Sequence, residues 1–177
     1  MARRLAAAMN APVVELDALN WLPDWVSLAE TDPQAFEARV VEATAGEAWV
    51  LAGSYMNFTR RLCWGRLQSV VWLDLSLSLI LRRVVSRSWR RWRSRELLWG
   101  TNRESFLTHL KVWSKDSLLC WALTTHKQKR RSLLAAMVDP QWAHIRFIRL
   151  TSVAEVDEFT RLIEQVARVP EPPDTQG

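Results

Sequence analysis

SVVWLDLSLSLILRRVVSRSWRRWRSR, residues 69–95, decides how this chain is read. Its opening, SVVWLDL, is β-branched and aromatic up to Asp74, the composition of a short strand covered on both faces. The period then changes. Leu77, Leu81, Val84, Val85 and Trp92 fall on one side of a helix over 77–95 and are predicted to face a sheet, while Arg83, Arg87 and Arg91, four apart, form a ridge. Seven arginines stand between 82 and 95, with no acid before Glu96. One reading is a solvated basic face. The other is a clamp, because guanidinium forks match phosphate oxygens and stabilise charge on a transferring phosphoryl group.

The same alternation of strand and helix extends outward from this unit. ARRLAAAM (2–9) reads as a helix with no capping side chain ahead of it. APVVELD (11–17) reads as a parallel strand ending at Asp17. DPQAFEARVVEATAG (32–46) is a helix capped by Asp32, with Pro33 in its first turn, Phe36, Val40 and Val41 on one face, and Gly46 at its end. EAWVLAG (47–53) is a second strand, ending in Gly53. Helices are expected over 102–112, where Thr101 and Glu104 make a capping-box pattern, and over 116–137. HIRFIRL (144–150) is a fourth strand, and Ser152 with Glu155 opens a last helix carrying Val156, Phe159, Ile163 and Val166 on one side. The tail PEPPDTQG (170–177) has the composition of a disordered segment. The whole predicts one α/β domain over 1–169 with a mainly parallel sheet. Ligands of such sheets sit at the carboxyl ends of the strands, here Asp17, Gly53-Ser54-Tyr55 and Asp74.

Composition bounds the partners. The formal charge of +5 and a pI near 9.9 favour anions such as nucleotides, nucleic acid or phosphate-rich surfaces. Cys63 and Cys120, each in an apolar, Trp-containing stretch, read as buried hydrophobes, which points to a reducing, cytoplasmic setting. Residues 1–9 carry no apolar core of a secretory leader, and SVVWLDLSLSLIL (69–81) is interrupted and too short to span a bilayer. A second cationic cluster, HKQKRR (126–131), is read at the end of a helix, where the dipole favours cations. His126 within it is read as a helix-surface residue rather than a base. The interleaving in RSWRRWRSR (87–95) leaves open a nucleic-acid binder or a basic helix on an anionic membrane. Against both, the eleven tryptophans are spread along the chain, as packing residues are.

The series VVELDALNWLPDW (13–25), WVLAGSY (49–55), VVWLDLSLSLILRRVVSR (70–87), ELLWGTNRESF (96–106) and DSLLCWALTTHKQKR (116–130) resembles, in that order, the adenylate-kinase-like P-loop proteins known as topology modulation or FlaR-like proteins. The resemblance runs to about Thr151. It implies a three-layer P-loop kinase fold with a basic helical lid, about 88–131 here. It also implies ATP with Mg2+ and phosphoryl transfer to a small-molecule acceptor, with no specific nucleic acid and no membrane span. By the same resemblance Arg83 and Arg87 line the nucleotide and phosphate site, Asp74 ends the strand before them, and Asp17 lies near the acceptor or the magnesium, the other reading of Asp17 being a strand-terminating or helix-capping residue. Gly53 and Tyr55 match a "GNY"-like turn in which Ser54 replaces the usual Asn. Arg90, Arg91, Arg130 and Arg131 correspond to lid arginines. No residue is assigned to a metal.

One departure accompanies these matches. The family carries a strand and a G-x-x-x-x-G-K-[ST] loop ahead of a helix like ARRLAAAM. None of the glycines here, Gly46, Gly53, Gly65, Gly100 and Gly177, is followed by Lys. The sequence therefore predicts a kinase-like chain without the phosphate-cradling amides, Lys and hydroxyl, and inactive in this form. It predicts a sheet lacking its central strand, whose halves either close up or leave a gap. A start placed too far downstream is the expected origin, and a P-loop-less pseudoenzyme the alternative.

Overall fold

A computed structural model describes residues 1–95, 97–99, 102–103 and 118–167, with Arg103 and residues 118–123 described in backbone alone. The elements are α1 (Ala2–Ala8), β1 (Val13–Glu15), α2 (Leu16–Asn20), α3 (Leu28–Thr31), α4 (Pro33–Ala43), β2 (Val50–Ala52), α5 (Met56–Leu62), β3 (Ser69–Leu73), α6 (Leu77–Ser94), β4 (Leu97–Leu98), β5 (Asn102–Arg103), α7 (Leu118–Val138), β6 (Arg146–Leu150) and α8 (Val153–Val166). Short 3-10 turns stand at Pro23–Trp25, Trp64–Arg66 and Pro140–Trp142.

The chain is α/β, and its parallel strands form two separate ladders. β1 pairs in parallel with β2, Val14 opposite Leu51, and β3 pairs in parallel with β6, Val71 opposite Ile148. No ladder joins β2 to β3. Of the two arrangements expected, halves that close up or halves that leave a gap, the described strands take the unjoined one. β4 and β5 form a small antiparallel hairpin.

Each half has its own core. Leu16, Leu28, Phe36, Val40 and Cys63 are buried beside the first ladder. Leu75, Leu150 and Val156 are buried beside the second, with Met1 and Phe159 packed on them. α1 belongs to both. It touches β1, β2 and α8, Arg3 pairs with Glu15 of β1, and Arg4 grips Glu164 of α8 with two bonds of 2.7 and 2.9 Å. As its sequence implies, α1 starts without a capping side chain.

Several local expectations stand and others move. Asp32 caps α4 through Ala35 N–H at 3.0 Å, and Ser152 and Glu155 cap α8 reciprocally. α4 ends at Ala43, before Gly46, and it buries Phe36 and Val40 while Val41 is left 52% exposed. Val166 and Trp92 are likewise exposed. β1 stops at Glu15, so Asp17 lies in the first turn of α2 rather than in a strand. Asn102 and Arg103 are strand, not the start of a helix, because Asn102 is held by the 22–25 turn. The rest of that expected helix, its Thr101/Glu104 box and the 170–177 tail lie outside the described residues, as does the Cys120 side chain. The 126–131 cluster sits within α7, which continues to Val138, so the helix dipole does not account for it.

Candidate anion site at the strand ends

Gly53 sets the geometry where β2 ends. Its φ of +146° is one that side-chain-bearing residues avoid, and a Cβ there would lie 2.8 Å from the Cβ of Leu16. The turn therefore passes tightly over the start of α2 and brings Ser54 and Tyr55 beside Asp17. The Tyr55 hydroxyl donates to Asp17 Oδ1 at 2.9 Å. Burial, then the charge of Asp17, pushes the phenol above its ordinary range, so it stays a neutral donor. Asn20, buried in the same helix as Asp17, accepts the Ala29 N–H at 2.8 Å and fixes the following loop.

α7 reaches this corner from the other side. Lys129 Nζ donates to Ser54 Oγ at 2.9 Å. Burial lowers the amine to about 8, and the charge of Asp17 acts in the opposite direction. One residue on, Arg130 Nε donates to Asp74 Oδ2 at 3.2 Å. Arg149 of β6 donates to the same oxygen, from Nε at 2.8 Å, and its guanidinium lies 5.1 Å from the centre of the Trp72 ring. The Asp74 side chain is 7% exposed, so two guanidinium groups neutralise an otherwise costly buried carboxylate. His126 Nε2 lies 3.3 Å from the Leu75 carbonyl oxygen, so it faces the β3 end rather than open solvent.

The structure thus brings together Asp17, Gly53, Tyr55, Asp74 and Arg130. Arg83, Arg87, Arg90 and Arg91 ride on α6, Arg91 half-buried and the others exposed, and the bonds described at Asp17, Ser54, Tyr55 and Asp74 come from other residues. Arg131 is exposed on α7. Sequence reasoning missed Lys129 and Arg149. Lys129 is one of four Lys and Arg side chains within 127–131, whereas Arg149 had a signal, a second charge in a five-residue strand, near its carboxyl end.

The ATP and Mg2+ implied by the resemblance can be tested against these residues. Among the described residues no three His, Cys, Asp or Glu side chains converge to hold a metal ion. Asp74 is flanked by two guanidinium groups and Asp17 by the Lys129 ammonium, and no glycine is followed by Lys. The residues present do not fit a magnesium-bound triphosphate. What they can do is hold an anion and a hydroxyl group: Lys129 and Arg130 donate to oxygens, and Asp17 accepts. No helix of the described residues is long and apolar enough to cross a membrane. Compared with known protein families, curated proteins and solved structures, the chain matches none.

Proposed function

We propose that the protein is a P-loop-kinase-like, nucleotide-binding α/β protein. On this reading residues 1–177 supply the acceptor and phosphate-clamp side of an ATP-dependent phosphotransferase and do not turn ATP over by themselves. One observation carries the reading. Two parallel strand pairs lead into Asp17, Ser54-Tyr55 and Asp74, which follow β1, β2 and β3, and a single helix delivers Lys129 and Arg130 to both ends. The carboxyl ends of parallel strands are where α/β folds bind nucleotides and their acceptors, and paired cations there match phosphate oxygens.

A second reading has its own support. Trp89 and Trp92, 46% and 45% exposed, stack obliquely at 5.2 Å on the arginine-rich α6, as bases stack on aromatic platforms in single-stranded nucleic-acid binders. One pair of titrations separates the two. A kinase-like site gives saturable binding of AMP or ATP and little response to long DNA. Indifference to mononucleotides, with DNA binding that falls steeply as salt rises, refutes the kinase-like reading.

A further inference from the structure

α6 turns one side to the protein and the other, which is cationic, to solvent. Leu77, Leu81 and Val84 are half-buried, Ser88 is buried, and the helix lies against α7. At about 100° per residue, Arg82, Arg83, Arg90 and Arg93 fall within about 100° of one another on the opposite side. All are exposed, and among the described residues no hydrogen bond or ion pair holds them. No acid stands anywhere in the helix to offset them. From Arg82 to Arg93 the array extends about 16 Å along the axis.

Trp89 and Trp92, exposed and 5.2 Å apart, stand along one margin of this array. Leu97, just beyond the end of the helix, is exposed as well. Guanidinium groups beside indoles match the headgroup layer of an anionic bilayer, where phosphates meet the cations and indole rings rest at headgroup depth. A nucleic-acid duplex hides its bases and gives the indoles no counterpart. Single strands are held in grooves, whereas this surface is the convex outside of a helix. The apolar side of α6 is committed to the protein, so the helix lies on headgroups rather than among acyl chains, and the attraction is chiefly Coulombic.

We propose that the outer face of α6 docks the protein on an anionic lipid surface, with Arg82, Arg83, Arg90 and Arg93 on headgroup phosphates and Trp89 at headgroup depth. The proposal goes beyond the kinase-like reading and does not rest on it. Arg82 and Arg93 carry the test because no nucleotide role attaches to either.

The test is co-sedimentation of the whole chain with vesicles of phosphatidylcholine alone, and of phosphatidylcholine with about one-third phosphatidylserine. Binding to the mixed vesicles that weakens as salt rises, with little binding to phosphatidylcholine alone, is expected. Arg82→Gln together with Arg93→Gln should weaken it about 30-fold, about fivefold for each cation taken from the charged surface. Gln matches Arg in helix propensity, and should the pair fail to fold by circular dichroism, Arg82→Gln alone carries the test at about fivefold. Arg146→Gln together with Arg161→Gln, exposed on β6 and α8, lowers the net charge equally and should leave binding within about twofold. No binding to the mixed vesicles, binding that the α6 variants leave unchanged, or an equal loss from the Arg146 and Arg161 pair overturns the proposal. Release from the vesicles by a single-stranded oligonucleotide at matched phosphate concentration also overturns it, by assigning the face to nucleic acid. AMP and ATP titrations without vesicles test the kinase-like reading, so the two fail separately.

Discussion

Replacing Lys129 with Met tests the strand-end cluster through stability rather than binding. The amine sits at about 8 in the folded chain against an ordinary 10.5, mainly because it is partly withdrawn from water. Below about pH 8 the folded and unfolded states are both protonated, and the full desolvation penalty is present. Between about 8 and 10.5 the unfolded chain holds the extra proton, so stability rises with pH, and above 10.5 the penalty is gone. At about 1.4 kcal/mol per pH unit, moving from pH 7 to about 9.5 gains about 2 kcal/mol. Because the amine keeps much of its solvent contact, about 1 kcal/mol is the realistic figure. Urea unfolding of wild type and Lys129→Met at both pH values gives the double difference, in which Cys63, Tyr55 and other alkaline groups cancel. Wild type should gain about 1 kcal/mol on the variant as pH rises. A difference independent of pH, or one of opposite sign, refutes the placement of Lys129 against Ser54 and Asp17.

The other expectations concern packing and the same cluster. Arg149→Met strips Asp74 of its firmer partner and should cost about 2–3 kcal/mol in urea unfolding, whereas Arg130→Met should cost under about 1 kcal/mol, since its bond is long and half-exposed. Equal losses would contradict the division of labour between them. Gly53→Ala forces an L side chain into φ +146° and against Leu16, so a loss of about 2 kcal/mol or more is expected, and a neutral result would count against the turn. Asn102→Ala leaves Trp25 N–H and the Leu22 carbonyl without their 2.9 Å partners. Stability should fall by about 2–4 kcal/mol, with faster exchange of the Trp25 amide in hydrogen-exchange measurements.

What was legible in the sequence was what local chemistry encodes. Asp32 and Ser152 announce their helices because a cap needs only a side-chain oxygen and the next free N–H groups. The four parallel strands were readable from their apolar and β-branched runs, although each is trimmed at one end or both. The Thr101-to-Glu104 pattern suggested a helix from 102, yet Asn102 finds better partners 77 and 80 residues away, which no local pattern reveals. The division of the sheet is long-range as well, since the β2 and β3 sequences read alike whether or not a neighbour lies between them. At the site, Asp17, Tyr55 and Asp74 were found because strand ends are privileged positions. Lys129 was not, because its role depends on which side of α7 turns inward, and HKQKRR offers cations on every side.

Two-stranded parallel ladders are marginal by themselves and need cover on both faces, so the elements that tie the halves together carry unusual weight. α1 does this with apolar contact and two ion pairs, Met1 lying in one core while Leu5 and Ala6 are buried near β2. α7 does it at the carboxyl ends, with Lys129 on the β2 turn, and Arg130 and His126 on the β3 end. Arg149 holds Asp74 from the neighbouring strand, so the β3–β6 half has a tie of its own beside those of α7.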